Sequence, residues 1–429
     1  MTKDKKLFAV GLITSLFFLW GFALNMNSIL IPHLKKACQL SDFQSAFIDS
    51  SFFIAYFLMA IPAGQFMKRY GYKGGIILGL MLFAAGAFLV YPAAGVRSYA
   101  FFLSAFFVIA CGLAFLETAA NPYITALGDP EHASFRLNFA QSFNGLAATL
   151  APLIGGQFIL SNTNLSAATE SNMSNSQLNA YLDKEASTVQ VPYLIIGLVV
   201  LTVGILLYKT SLPEIVEEIS SQEELDHEKK SIIHRIGYLF SEKNLMRGVL
   251  AQFFYVGAQV CMSSFFIRFS GKVAGIEQQA ASLFLSAALF GFMAGRFIGT
   301  ALMRFISPVR LLIAYSVINV CLVILAILLH GKLSVYALMG VEFFMSIMFP
   351  TIFSLSIRGL GAKTKLGSSL VIMAIAGGAV FPPLLGLISD HSNIQIAYLV
   401  PACCFVYVFY FAYKNLKVKK LDMAVHIEV

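Results

Sequence analysis

Long apolar runs dominate the sequence and constrain its fold more than any other feature. A helix needs about 20 residues to cross the hydrocarbon core of a bilayer. Charged residues make up only 12% of the chain, against about 25% in soluble domains. The sequence therefore predicts an all-α membrane protein with twelve transmembrane helices. The twelve apolar runs cover residues 7–31, 43–67, 75–94, 99–127, 137–160, 191–208, 245–269, 280–305, 309–330, 335–357, 367–388 and 394–413.

The distribution of Lys and Arg predicts how the chain is oriented and divided. With twelve spans, both termini lie on one side, and the loops on that side carry most of the basic residues. The positive-inside rule places this side, and with it both termini, in the cytoplasm. We predict an N-terminal six-helix bundle over residues 1–210, a cytoplasmic linker over 211–243, and a C-terminal six-helix bundle with a cytoplasmic tail over 244–429. The net charge of +8 falls in short clusters between spans, which argues against a nucleic-acid partner.

The two predicted halves repeat one another at an offset of about 230 residues. The offset relates residues 121–124 (NPYI) to 349–352 (FPTI), and Pro152 to Pro383. A third match relates residues 17–28 to 253–264. One common offset for three matches indicates a duplicated six-helix unit.

One predicted span contains an acidic residue among small apolar neighbours. Glu117 lies in the run 99–127, and Asn121 follows four residues later on the same face of a helix. An ionised carboxylate in hydrocarbon costs several kcal/mol, so acidic residues in spans usually face a polar interior and handle ions or substrates. A carboxylate that reaches water at the membrane boundary is the alternative. The small residues around Glu117 favour a role in transport of an ion or substrate.

Amide side chains in four predicted spans indicate a sugar-binding cavity. A carboxamide donates and accepts hydrogen bonds at once, which suits the neighbouring hydroxyls of a sugar. The alternative is that these amides only hold helices together, each contributing about 0.6–2 kcal/mol. Their occurrence on four spans favours the cavity, at mid-membrane depth. The amides on these spans are Asn25, Asn121, Gln141, Asn144, Gln252 and Gln259.

Other polar residues in the spans point away from enzyme chemistry. Arg296 and Glu342 are interpreted as an ion pair within the protein or as anchors at helix ends. The six cysteines form no CxxC pair, so neither a disulfide framework nor a metal site is predicted, and no cofactor is expected. The spans contain no HExxH motif and no paired aspartates of an intramembrane protease, so the chain is not predicted to be an enzyme.

Six sequence blocks are long enough to suggest a family. They are residues 17–21 (FFLWG), 30–34 (LIPHL), 116–122 (LETAANP), 135–144 (FRLNFAQSFN), 252–259 (QFFYVGAQ) and 349–355 (FPTIFSL). These blocks resemble the fucose–galactose–glucose symporter family of the major facilitator superfamily, most closely its bacterial L-fucose:proton symporters. The resemblance implies two pseudo-symmetric six-helix bundles, a central sugar site and alternating access. It also implies that Glu117 is a protonatable residue coupled to sugar binding. By the same resemblance, the sugar-binding residues are expected to be Asn25, Glu117, Asn121, Gln141, Asn144, Gln252, Tyr255 and Gln259.

The chain departs from fucose symporters at a second acidic position. Those proteins carry Asn-Asp in the first span, where this chain has Asn27-Ser28, and a Gln in the second span, where this chain has Asp49. Positions 28 and 49 lie at similar depth, since a helix rises 1.5 Å per residue. We hypothesise that the cation-coupling carboxylate has moved from residue 28 to residue 49. The oxygen atoms of Asp49, Ser28 and Asn27 would equally suit a sodium ion.

The expected function is import of a hexose or deoxyhexose together with a cation, with L-fucose and H⁺ as the first candidates. A sodium-coupled transporter of glucose, galactose or an N-acetylhexosamine is the main alternative. Ser263 stands where fucose symporters carry a Trp, so the identity of the sugar stays open. A proton-driven exporter would have a less amide-rich cavity, and a sugar receptor that does not transport is a further possibility. The expected partners are the sugar, H⁺ or Na⁺ and the lipid bilayer, and the protein is expected to act as a monomer.

Two segments between the spans carry expectations of their own. The polar residues 161–190 form the largest loop on the outer side, with no predicted helix. Within the linker, residues 215–233 have the pattern of an amphipathic helix at the membrane surface.

Overall fold

The computed structural model describes the backbone of residues 3–40, 42–159, 173–210, 212 and 237–425, and all of the regular structure in these ranges is helical. Within the same ranges, some side chains are not described. They belong to residues 3–10, 27–29, 31, 32, 42–47, 49, 50, 152, 153, 155–159, 278, 279, 362 and 417–425. The amphipathic helix predicted over residues 215–233 lies outside the described residues.

The helices follow one another through three short 3₁₀ turns, at Pro130–His132, Gly361–Lys363 and Ala374–Ala376. In chain order the α-helices are α1 Lys3–Asn25, α2 Asn27–Ala37, α3 Asp42–Gly95, α4 Tyr99–Ala126, α5 Ala133–Ile159, α6 Asn175–Ser187, α7 Gln190–Lys209, α8 Lys243–Ala274, α9 Gln278–Leu302, α10 Pro308–Leu328, α11 Lys332–Met345, α12 Met348–Ser356, α13 Thr364–Met373, α14 Gly377–His391, α15 Ile394–Ala397 and α16 Leu399–Val425.

All twelve predicted spans coincide with helices. Nine helical segments of the described chain are long and apolar enough to cross a membrane. One of these, Ser51–Gly95, contains the third predicted span and most of the second. The first and fifth spans correspond to α1 and α5. The prediction of a twelve-helix membrane protein is therefore confirmed.

Gly71 separates the second span from the third within α3. Its φ of 73° lies in the left-handed region, where glycine is favoured because it has no Cβ. Shortly after this break, the Lys73 ammonium donates hydrogen bonds to the carbonyl oxygens of Tyr208 (3.0 Å) and Thr210 (2.8 Å). A basic side chain at this position satisfies carbonyls left open at the end of α7.

The segment predicted to form the largest outer loop contains a helix that the sequence pattern did not predict. Within residues 161–190, α6 begins after Ser174, whose hydroxyl accepts from the backbone N–H of Gln177, while the Gln177 side chain accepts from the backbone N–H of Ser174. This reciprocal pair is a capping box, which stabilises a helix start. Part of the connection predicted over residues 161–190 is therefore helical, at Asn175–Ser187.

Contacts between residues divide the chain into two compact units, the first formed by Met1–Ala120 and Leu146–Glu214. In this unit α4 approaches α3 closely at Gly112. A Cβ at Gly112 would lie 2.5 Å from the backbone nitrogen of Phe83 and 2.6 Å from the carbonyl oxygen of Gly79. Glycine is therefore required at this crossing, as is common between membrane helices.

The second unit is formed by Asn121–Gly145 and Ile215–Val429, and α8 is central to it. This helix packs against α9, α11, α12, α14 and α16. A Cβ at Gly377, the first residue of α14, would lie 2.0 Å from the carbonyl oxygen of Phe253 on α8. The contacts thus group Asn121–Gly145 with the later helices, whereas the domain boundaries at residues 210 and 244 remain a prediction.

Candidate functional site

Glu117 lies on α4 in the first unit, and only 7% of its surface is exposed. The hydroxyl of Tyr56, on α3, donates a 2.9 Å hydrogen bond to Oε1 of Glu117. Tyr56 is itself buried. A hydrogen bond to a carboxylate is stronger than one between neutral groups, so Tyr56 can stabilise charge on Glu117 in the interior. Tyr56 could not be predicted from the sequence, because a pattern of spans does not show which faces of α3 and α4 meet.

The other candidates in the first unit are only partly described. The amide nitrogen of Asn25 donates a 2.7 Å hydrogen bond to the carbonyl oxygen of Gly21, one turn earlier on α1. The side chains of Asn27, Ser28 and Asp49 lie outside the described residues. The relocated carboxylate and the sodium site therefore stay predictions.

Asn121 and Gln141 meet inside the second unit. The Nε2 atom of Gln141 lies 3.4 Å from Oδ1 of Asn121, and both side chains are buried. The Nδ2 atom of Asn121 has no hydrogen-bond partner among the described residues. A buried donor without a partner costs about 1–3 kcal/mol, and a hydroxyl of a bound ligand would remove that cost. The structure thus brings together two residues predicted to bind the sugar.

Arg296, on α9, determines how this amide pair is oriented. Its Nη1 atom donates to the backbone carbonyl of Gln141 at 2.8 Å and lies 3.4 Å from Oε1 of the same residue. A guanidinium can only donate, so the oxygen of the Gln141 amide must face it. The Gln141 nitrogen then faces Oδ1 of Asn121, which leaves Nδ2 of Asn121 free to donate. The importance of Arg296 at this site was also missed from the sequence.

The break between α11 and α12 explains a second contact of Arg296 and the position of Tyr255. Pro350 has no N–H, so the carbonyl of Ser346, four residues earlier, loses its helical partner. The Nε atom of Arg296 donates to that carbonyl at 2.9 Å. Beside it, the Tyr255 hydroxyl donates to the carbonyl of Met345 at 3.1 Å. The Tyr255 hydroxyl, predicted to contact the sugar, is therefore used in this structure to hold α8 against the break.

The remaining predicted sugar-binding residues differ in their surroundings. Gln252, on α8, is fully buried, and neither Nε2 nor Oε1 has a hydrogen-bond partner among the described residues. Asn144 and Gln259 are partly buried. An amide with two unpartnered polar atoms in the interior is unfavourable without a ligand. Gln252 thus has the strongest structural indication of a ligand contact in the second unit.

Glu342 and Arg296 do not form the ion pair that the sequence suggested. Oε1 of Glu342 lies 3.2 Å from the Ser263 hydroxyl, and Arg296 is bound to the backbone carbonyls of Ser346 and Gln141 instead. The carbonyl freed by Pro350 gives the guanidinium a fixed acceptor away from Glu342. The interpretation of the two residues as an ion pair was therefore wrong.

Comparison with known proteins gives a consistent family. The sequence pattern of the Major Facilitator Superfamily matches residues 13–380. The chain is 42% identical to the L-fucose-proton symporter of Escherichia coli (strain K12) over 405 residues, which cover 94% of this chain and 92% of that protein. It is 39% identical to the glucose/galactose transporter of Brucella abortus over 406 residues, which cover 94% of this chain and 93% of the relative.

Solved structures agree with these matches. A crystal structure of the E. coli fucose:proton symporter FucP superposes with a TM-score of 0.89 and 40% sequence identity, covering 96% of this chain and 99% of the other. A proton:xylose symporter, XylE, superposes with a TM-score of 0.70 at 14% identity, which shows a shared fold only.

Proposed function

Because the chain belongs to the Major Facilitator Superfamily, we propose that it imports a monosaccharide together with a cation by alternating access. The observation that carries this proposal is the buried Glu117 carboxyl with the Tyr56 hydroxyl donating to it. A titratable group with a polar partner inside a membrane span is suited to bind and release a proton during transport. The relatives named as sugar transporters support the same function. The two six-helix bundles over residues 1–210 and 244–429 are part of the proposal.

Glu117 would couple the proton to the sugar through its hydrogen bonds. When protonated, its carboxyl group can donate to a sugar hydroxyl. When the proton leaves toward the cytoplasm, the carboxylate can only accept, so that contact weakens and the sugar departs. The amides of Asn121 and Gln252, which hold unpartnered polar atoms, would bind further sugar hydroxyls. Asn25, Gln141, Asn144, Tyr255 and Gln259 complete the proposed sugar-binding set.

L-Fucose is the first candidate substrate, since a relative named as its symporter is 42% identical over 405 residues. Glucose or galactose is the second candidate, because a relative named for those sugars is 39% identical over a similar length. The small side chain of Ser263, in place of a stacking aromatic ring, also favours a different or larger hexose, including an N-acetylhexosamine.

Protons are the first candidate for the coupling cation, and sodium is the second. Glu117 requires only a proton to change its hydrogen bonding. A sodium ion would instead need several oxygen ligands, and Asp49, Ser28 and Asn27 are the proposed set. We propose further that the protein acts as a monomer in the bacterial inner membrane with both termini in the cytoplasm, as the basic loops indicate.

Counterflow in proteoliposomes tests the proposal. Vesicles loaded with one unlabelled monosaccharide are diluted into the same labelled sugar, with pH and sodium varied independently. We expect transient uptake of label for at least one of L-fucose, galactose, glucose and N-acetylglucosamine, with a dependence on pH and none on sodium. Uptake that requires sodium would favour the second cation. No exchange of any of these sugars would contradict the proposed function.

A further inference from the structure

Glu342 is a second buried acidic residue in a membrane span. It has no part in the coupling role proposed for Glu117. It lies on α11 ten residues after Lys332, the first residue of that helix. At a rise of about 1.5 Å per residue, Glu342 lies about 15 Å along the helix axis from Lys332, which is half the thickness of a bilayer core of about 30 Å. Only 1% of the Glu342 surface is exposed.

The hydrogen atoms around Glu342 can be assigned from its contacts. The Ser263 hydroxyl lies 3.2 Å from Oε1 of Glu342 and 3.3 Å from the backbone carbonyl oxygen of Gln259. A hydroxyl carries one hydrogen, so it cannot donate fully to both oxygens. If Glu342 carries a proton on Oε1, its O–H donates to Ser263, and Ser263 donates to the Gln259 carbonyl. Protonated Glu342 therefore satisfies both contacts, whereas the ionised form satisfies only one.

The rest of the carboxyl group also favours the neutral form. Oε2 of Glu342 has no hydrogen-bond partner among the described residues, and Glu342 forms no ion pair with any of them. A buried carboxylate with a single neutral donor would pay several kcal/mol of desolvation. Binding a proton removes the charge and most of that penalty.

The neighbouring helices bring several titratable or charged groups near Glu342, and these do not neutralise it by direct contact. Tyr255, on α8, interacts electrostatically with both Glu342 and Arg296, the latter on α9. Tyr398, which follows α15, interacts electrostatically with Glu342 and with Cys261 on α8. On α10, the ring of Tyr315 packs against Phe344 of α11, two residues after Glu342.

We propose that Glu342 is a proton-binding residue of the transport cycle, separate from Glu117. The proposal rests on the proposed sugar–cation symport and adds a second proton to it. On release, the O–H bond of the Glu342 carboxyl breaks and the proton passes to water. The Ser263 hydroxyl then turns from the Gln259 carbonyl to the carboxylate. The change reaches α8 at Gln259, one of the residues proposed to bind the sugar.

The Glu342→Gln variant tests the coupling. Glutamine keeps the shape and can donate to Ser263 as the protonated acid does, so folding and sugar counterflow should persist. We expect the number of protons taken up per sugar, measured in proteoliposomes with a pH electrode and labelled sugar, to fall by one. We also expect the variant to retain at alkaline pH the sugar affinity that the wild type loses. Glu277→Gln, an exposed acidic residue at the start of α9, is the matched control and should change neither quantity.

Infrared spectroscopy of the purified protein tests the protonation without any sugar. The carbonyl stretch of a protonated carboxylic acid at Glu342 should be present in the wild type and absent from Glu342→Gln, so it should appear as a band in the wild-type-minus-variant difference spectrum. If the wild type shows this band but transports no sugar, the proposed function is contradicted, whereas the inference that Glu342 is protonated still holds. Absence of the band would show that Glu342 is ionised and would overturn the inference. A band with unchanged proton stoichiometry and pH profile would overturn the role in coupling.

Discussion

The hydroxyl of Tyr56 on α3 donates a 2.9 Å hydrogen bond to Oε1 of Glu117 on α4, and both side chains are buried in the first compact unit. The pair gives the acidic residue a polar partner where water is scarce. It links the second and fourth membrane spans at the residue proposed to carry the transported proton. Any change in the protonation of Glu117 must therefore alter a contact between these two helices.

A double-mutant cycle with Tyr56→Phe and Glu117→Gln measures this contact. A hydrogen bond between neutral groups contributes about 0.5–1.5 kcal/mol to stability, and one to a charged group about 1.5–3 kcal/mol. We therefore expect a coupling energy of at least about 0.5 kcal/mol in the unfolding free energies of the four proteins. Coupling indistinguishable from zero would show that the hydrogen bond does not contribute.

Replacing Gln252 separates ligand binding from stability. Because both polar atoms of its buried amide lack partners among the described residues, Gln252→Met should leave the thermal unfolding temperature unchanged or raise it. The same change should weaken sugar affinity by about five- to 150-fold, since leaving a sugar hydroxyl without its partner in a buried site costs about 1–3 kcal/mol. Sugar-induced thermal shifts measure both quantities.

Asn319 provides the matched control for Gln252. It is also fully buried, and both of its amide atoms are unpartnered among the described residues, but it lies on α10 and is not proposed to bind sugar. Asn319→Leu should raise stability in the same way and leave sugar affinity unchanged. Equal losses of affinity in both variants would contradict a specific role for Gln252.

Asp49 is predicted to replace the missing carboxylate of the first span. If the coupling carboxylate has moved to this position, Asp49→Asn should abolish accumulation driven by an ion gradient and leave sugar exchange intact. Counterflow and gradient-driven uptake in the same proteoliposomes measure the two activities. Asp183→Asn, at an exposed carboxylate that pairs with Arg97, is the control. Accumulation that survives Asp49→Asn would show that Asp49 is structural.

His33 is expected to make stability depend on pH. It lies beyond the end of the first predicted span, and its Nε2 atom is 2.9 Å from the backbone carbonyl of Glu185 and 3.0 Å from the Thr188 hydroxyl. Burial lowers the pKa of His33 from its usual 6.5, and this effect outweighs the nearby Glu185 carboxylate, which acts in the opposite direction. The unfolded chain thus binds a proton at a higher pH than the folded protein does.

The sign of this pH dependence follows from the lowered pKa. His33 contributes stability that is fully present above about pH 6.5 and is lost as the pH falls through the folded-state pKa, by about 1.4 kcal/mol for each unit between the two values. Thermal unfolding of wild type and His33→Gln between pH 8 and 5 should show a steeper acid decline for the wild type. The exposed His330 provides the control variant His330→Gln. Parallel curves for wild type and His33→Gln would contradict the assignment.

Sequence patterns predicted the twelve spans because length and hydropathy suffice to define a membrane helix. They also singled out Glu117, Asn121, Gln141 and Gln252, since polar residues are rare in such runs. The helix Asn175–Ser187 was missed, because a polar helix has no apolar run to mark it.

The partners of the functional residues could not be predicted from spacing. Tyr56, Arg296 and Ser263 contact their partners across different helices, and the order of spans does not specify which faces meet. Arg296 does not pair with Glu342, for a local reason. Pro350 leaves the carbonyl of Ser346 without its helical partner, and Arg296 donates to that carbonyl instead. The sequence shows that a proline frees a carbonyl, but only the structure shows which side chain on the neighbouring helix donates to it.

Accumulation driven by an imposed proton gradient tests the central role of Glu117 most directly. Proteoliposomes with a neutral interior are placed in acidic medium containing a labelled sugar that shows counterflow, at a membrane potential of 100 mV, negative inside. One charge crossing this potential yields about 2.3 kcal/mol, enough for about fiftyfold accumulation. We predict that the wild type accumulates the sugar, whereas Glu117→Gln still exchanges it but accumulates it at least several-fold less. Accumulation by Glu117→Gln to the wild-type level would contradict the account.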